Sequence, residues 1–105
     1  MTPDGGSRRR ARRRDSVIVR YDGQQYERDL ARCRRALLQG KVEKRFRTMD
    51  EFAELVGLSQ TTASRFLSGA ERASMAATSR LLAGLGLTFE EVHRKVEAAR
   101  EGSAQ

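Results

Sequence analysis

Thr48-Met-Asp-Glu-Phe-Ala-Glu-Leu-Val-Gly-Leu-Ser-Gln-Thr-Thr-Ala-Ser-Arg-Phe-Leu-Ser-Gly69 reads as two short helices joined through a glycine. Thr48 and Glu51 form a capping-box pattern, in which hydroxyl and carboxylate each satisfy a free backbone N–H. The helix they open buries Met49, Phe52, Ala53 and Val56. Gly57 stops it by taking the left-handed conformation that a sharp turn needs. Leu58 plugs the turn into the core, and Ser59 caps a second helix that runs to Ser68 before Gly69. Ala53 is small where the helices cross, while Ala63 and Phe66 hold the second helix against the first. What remains on the second helix is Gln60, Thr61, Ser64, Arg65 and Ser68, all polar and none acidic. A solvated face ordinarily mixes Glu with Lys. This one carries amide, hydroxyl and guanidinium groups, the chemistry that pairs with adenine, guanine and thymine edges in the major groove. A plain helical hairpin whose Ser/Thr face meets only water is the alternative.

Downstream, Ser74 caps a further helix with Leu81, Leu82 and Leu85 on one stripe, its end weakened by Gly84 and Gly86. Thr88 and Glu91 repeat the capping-box pattern and start a fifth helix with Phe89, Val92 and Val96 inward. Upstream, Tyr26, Leu30, Cys33 and Leu37 fall on one helical face that Gly40 ends, with Arg28, Arg32, Arg34 and Arg35 on the other. Residues 41–47 are ambiguous, although Val42 and Phe46 are spaced for a helical turn. Val17-Ile18-Val19-Arg20-Tyr21, closed by Asp22-Gly23, reads as a short strand and turn with Gln24 to Tyr26 as its return. Such a strand pairs with its own return or with the same strand of a second subunit. The expected class is therefore all-α: about five helices containing a helix-turn-helix, preceded by a disordered basic arm (1–15) and a short β segment or hairpin (16–25). The helical domain covers 26–99, and 100–105 form a frayed tail.

The chain has 105 residues, with 21 Lys+Arg against 14 Asp+Glu and a net charge of +7. The excess is uneven: residues 1–47 hold 15 basic and 6 acidic side chains, residues 48–105 hold 6 and 8. That asymmetry points to a polyanionic partner. No apolar run approaches the ~20 residues of a spanning helix, and the basic N-terminus lacks the apolar stretch of a secretory signal. Cys33 is the only cysteine, which fits a reducing cytoplasm. Cys33 and His93 are too few for a zinc site, and read as a helix-packed thiol and a surface imidazole. Ser, His and Cys lack partners for catalysis, and Gly84-Leu-Gly86 lacks the lysine of a phosphate loop. The reading is of a non-enzyme without cofactor or metal.

On these residues the stretch from Thr48 to Val92 resembles the lambda-repressor-like DNA-binding domains, the Cro and phage-repressor class. The carriers are Phe52-Ala53, Val56-Gly57-Leu58-Ser59, Ala63, Phe66, Ser68-Gly69 and the run from Leu81 to Val92. Val56 to Arg65 is also similar to the lac-repressor headpiece. The resemblance implies that a helix from about Glu27 to Leu38 completes a five-helix bundle. It implies base reading by Gln60, Thr61 and Ser64, with Arg65 reading a base or gripping phosphate, and phosphate contacts from Thr48, Ser59 and Ser68; Arg72 joins the phosphate set from a loop that also carries the acidic Glu71. Met49 stands where many members have Gln, so a Gln–Gln partnership on one adenine is lost.

Six arginines, Arg8, Arg9, Arg10, Arg12, Arg13 and Arg14, lie in seven positions. Beside a helix-turn-helix they read as an arm for the minor groove or for phosphate. The expectation is a cytoplasmic, nucleoid-associated transcriptional regulator that binds double-stranded DNA as a homodimer, represses by occupancy and has no membrane role. The alternative is an antitoxin-like protein that neutralises a second protein partner, with Val17 to Tyr21 adding to that partner's sheet.

Overall fold

A computed structural model describes residues 15–96. The arginines at 8–14 and the expected tail at 100–105 lie outside the described residues. The chain begins with a hairpin of β1 (Ser16–Tyr21) and β2 (Gln24–Asp29). Asp22 and Gly23 both take positive φ, 53° and 76°, the geometry of a two-residue type I′ turn, whose twist matches that of the strands it joins. The register runs from Ser16 opposite Asp29 to Tyr21 opposite Gln24.

The return strand is longer than its sequence implied. Tyr26 to Asp29 belong to β2, and the first helix, α1 (Leu30–Val42), starts where Asp29 caps it by accepting from the Arg32 amide at 2.9 Å. The helical spacing of Tyr26 with Leu30 arises because the inner face of a strand runs directly into the inner face of a helix. Gly40 does not end α1. It sits inside the helix at a close approach, where a Cβ would stand 2.5 Å from the Phe46 ring.

Helices α2 (Met49–Val56), α3 (Gln60–Ser68) and α4 (Met75–Leu85) follow, with N-caps Thr48, Ser59 and Ser74. The fifth helix is a single turn, α5 (Phe89–Val92), with both capping-box bonds made between Thr88 and Glu91. It does not continue to Val96. His93 is already extended, and β3 (His93–Lys95) pairs antiparallel with β2, giving the sheet order β1-β2-β3. β3 supplies the second edge of β2 with its hydrogen-bond partners, from Tyr26 opposite Lys95 to Arg28 opposite His93.

The all-α expectation is thereby overturned. The described residues are 55% helical and 18% strand, a mixed α/β fold in which a three-stranded sheet accompanies five helices. The main core joins Cys33 from α1, Phe46, Phe52 and Val56, Ala63, Phe66 and Leu67, the stripe Leu81, Leu82 and Leu85, and Val92. Each such Leu or Phe contributes about 1.5–3 kcal/mol by leaving water. Val17, Val19 and Leu30 form a second cluster under the sheet, with Tyr21 and Tyr26 against it. No helix among the described residues is long and apolar enough to cross a membrane.

Candidate nucleic-acid interface

The turn between α2 and α3 is made by backbone chemistry that needs few residues. Gly57 is left-handed at φ 77°, and the Leu58 amide donates to Ala53 O at 3.0 Å, closing the end of α2. Ser59 Oγ then accepts from the Thr62 amide at 3.0 Å and donates to Thr62 Oγ1 at 2.9 Å. Gly69, left-handed at φ 110°, ends α3, with Ala70 donating to Arg65 O at 2.9 Å. Ala63 and Phe66 are buried beneath, at 0% and 1% exposure. At the start of α2 the expected reciprocal box is only half made. Thr48 Oγ1 accepts from the Glu51 amide, but the Glu51 carboxylate accepts from Arg47 N at 2.7 Å instead of from Thr48.

The sequence-derived reading residues share the outer side of α3. Gln60, Thr61, Arg65 and Ser68 are exposed, and Ser64 is half-buried. Among the described residues none of these five side chains is engaged in a hydrogen bond or ion pair, so their donors and acceptors are free for a ligand. Thr48 and Ser59 are exposed as well, but their oxygens already serve the helix N-termini. Arg72 stands apart, on the loop after α3, where it borders a groove shared with Ile18 and Arg20 of β1.

Two basic side chains join this surface that the sequence reading did not assign to it. Arg34 and Lys41 of α1 line a groove with Ser64 and Ser68. Arg34 donates through Nε to Leu67 O at 3.0 Å, satisfying a carbonyl that the end of α3 leaves without an intrahelical partner. Their spacing of seven puts both on one face of α1, but nothing local says that α3 is what they face. On α2 the acidic groups are partly neutralised: Glu51 pairs with Arg47 at 2.9 Å, and the Arg47 hydrogen bonds hold its carboxyl below the usual range.

Behind α3 lies the least expected feature. Arg28, placed by helical spacing on a solvated face, is fully buried on the inner face of β2. Its Nε donates to His93 Nε2 at 3.1 Å, and its remaining nitrogens reach Tyr21 Oη at 2.6 Å, Ala70 O at 3.3 Å and Thr78 Oγ1 at 3.5 Å. The guanidinium lies 4.1 Å from the centroid of the Phe66 ring. Every acceptor is neutral, and burial lowers the Arg28 pKa. His93 is likewise not a surface imidazole, at 8% exposure and stacked on Phe89 at 3.9 Å. Because arginine only donates, His93 Nε2 carries the lone pair, and Nδ1–H donates to Phe89 O at 3.1 Å. Burial, with the Arg28 charge beside it, pushes the His93 pKa down to about 4. Cys33 is buried as expected, and burial pushes its thiol up to about 11, so it packs as a thiol. Among the described residues no group of His, Cys, Asp and Glu is placed to hold a metal ion.

No family model, no curated protein and no solved structure matches this chain.

Proposed function

We propose that this protein is a sequence-specific duplex-DNA-binding regulator that reads the major groove with α3 and represses by occupying its site as a homodimer. The observation that carries this reading is the outer side of α3. Gln60, Thr61, Ser64, Arg65 and Ser68 project from a helix buried on its other side, unacidic and with their polar groups uncommitted. Gln60 and Thr61 lie at the N-terminal end of α3, the end that enters the groove in this motif. Arg34 and Lys41 add positive charge where α3 meets α1. The basic run at 8–14 supplies a sequence-independent attraction to phosphate. The resemblance to the lambda-repressor-like class supports the same reading, as does the net charge of +7. A cytoplasmic, nucleoid-associated location follows from it.

Binding-site selection from random duplex DNA tests it. A two-fold consensus with half-sites about one helical turn apart is expected. Arg65→Ala and Gln60→Ala should each relax one base position and weaken cognate binding by about 1–3 kcal/mol. Enrichment of no sequence by the wild-type chain, or profiles unchanged in both variants, rejects the reading.

A further inference from the structure

The sheet ends on an open edge. β1 lies outermost, and among the described residues nothing pairs with its outer side. Asp15 O accepts from Leu30 N at 2.9 Å, which marks residue 15 as one side of a hydrogen-bonded pair in the antiparallel ladder. Such pairs alternate along the strand, so Val17, Val19 and Tyr21 turn their backbone groups towards β2. Ser16, Ile18 and Arg20 turn theirs outward. The type I′ turn agrees, since it closes on a hydrogen-bonded Tyr21–Gln24 pair. A groove follows this edge, with residues 18–21 of β1 along one wall and residues 71–75, from the α3–α4 loop to the start of α4, along the other. Ile18 is 46% exposed. A strand edge with an exposed isoleucine at its centre is a template for another strand.

We propose that this edge joins two copies of the chain, β1 pairing antiparallel with the partner's β1 about a two-fold axis at Ile18. The outward backbone groups are symmetric about that residue. Ser16 therefore meets the partner's Arg20, and Ile18 meets the partner's Ile18, each as a reciprocal hydrogen-bonded pair. Charge favours the same register. Ser16 Oγ donates to Glu27 Oε2 at 2.9 Å, so the Glu27 carboxylate leans towards Ser16, and Asp29 lies opposite Ser16 on β2. The partner's Arg20, set beside Ser16 on the same face, comes within reach of Glu27, which it would share with Arg94, and of Asp29, whose Oδ1 caps α1. Within one chain the only hydrogen bond of Arg20 to a described residue is a long one, 3.4 Å to Gly23 O. The dimer is one continuous sheet through both copies, with the isoleucines in contact at its centre. This pairing gives a surface to the homodimer of the DNA reading, yet it forms without DNA, so either can fail alone.

Sedimentation equilibrium of the full chain without DNA tests it, with a concentration-dependent dimer expected. Ile18→Lys sets like charges opposite one another and removes the apolar contact, raising the dimer Kd about tenfold or more. Its circular dichroism should match wild type, and so should its thermal melt at concentrations where both are monomeric, because the side chain is exposed and the residue 18 amide serves no bond to β2. Arg20→Glu, which sets a carboxylate against Glu27, should weaken the dimer too and provides a second variant if the first is unfolded. Ile18→Cys should give a covalent dimer with a short bis-maleimide, which spans the wider separation of a hydrogen-bonded pair, Cys33 being buried. A wild-type monomer, a dimer that neither charge variant weakens, or a dimer that Ile18→Cys fails to cross-link overturns the proposal.

Discussion

The α2–α3 hairpin and the sheet behind it are secured in opposite ways. In the hairpin each polar group of the turn finds its partner within a few residues: Thr48 with Glu51, Ser59 with Thr62, Leu58 with Ala53. Among the described residues the side chains of Gln60, Thr61, Ser64, Arg65 and Ser68 are left uncommitted. In the sheet, Arg28 reaches acceptors 65, 50 and 42 positions away, at His93, Thr78 and Ala70. It fastens β3, α4 and the α3–α4 loop to β2 while its guanidinium packs on Phe66 of α3. Local caps give the hairpin its shape, and the buried cation gives it a fixed seat. The reading surface proposed for α3 would need both, because free polar side chains position a ligand only if the helix beneath them does not move.

The contrast makes unequal demands on mutation, and the largest falls on Arg28. Arg28→Ala leaves His93 Nε2, Tyr21 Oη and Ala70 O without their donor and opens a cavity beside Phe66. Urea denaturation should show a loss of about 3–5 kcal/mol. A loss under about 1 kcal/mol, no more than one ordinary hydrogen bond, would remove Arg28 as the anchor and with it the contrast.

Acid should attack the same region next. The folded pKa of His93, about 4, lies below its ordinary 6.5. The unfolded chain therefore takes up the proton first. This contribution to stability is complete above pH 6.5 and is lost as pH falls from there towards 4. The loss is on the order of 3 kcal/mol. Denaturation measured across that window should slope in the wild type and flatten in His93→Gln. Equal slopes would show that His93 accepts a proton while folded.

The hairpin should respond least. Ser59→Ala removes one cap and should cost about 1 kcal/mol. Arg65→Ala, on the free face, should leave stability within about 0.5 kcal/mol of wild type while impairing DNA binding. A large loss of stability in Arg65→Ala would mean that the outer side of α3 is structural.

The two regions also differed in how well they could be read. Thr48, Gly57, Ser59, Gly69, Ser74 and Thr88 announce helix ends through bonds that their own neighbours complete. Asp22-Gly23 announces its turn for the same reason, since an Asp-Gly pair readily takes two positive φ values. Tyr26 misled because its spacing to Leu30 is helical by coincidence. The usable signal was Asp29, a capping residue placed to receive the Arg32 amide. Gly40 reads as a stop because glycine ends helices more often than it admits a ring against one.

In the sequence Arg28 and His93 read as solvent-facing for a sound general reason. A lone cation or imidazole costs too much to bury unless several acceptors converge on it. Here the acceptors come from β1, β3, α4 and a loop, and no window of sequence contains them together. Likewise, the position of Arg34 and Lys41 beside Ser64 and Ser68 depends on α1 crossing α3.

Sequence alone was enough to place the hairpin, its caps, the turn at Asp22-Gly23 and the unacidic outer face of α3, because each depends on dihedral preferences and hydrogen bonds spanning a few residues. Tertiary structure was needed to turn the last segment from helix to strand, to bury Arg28 against neutral acceptors and to leave β1 with an open edge. Those outcomes depend on which distant backbone edges and polar atoms meet, and a pairing between positions 28 and 93 leaves no periodic trace in the residues between them.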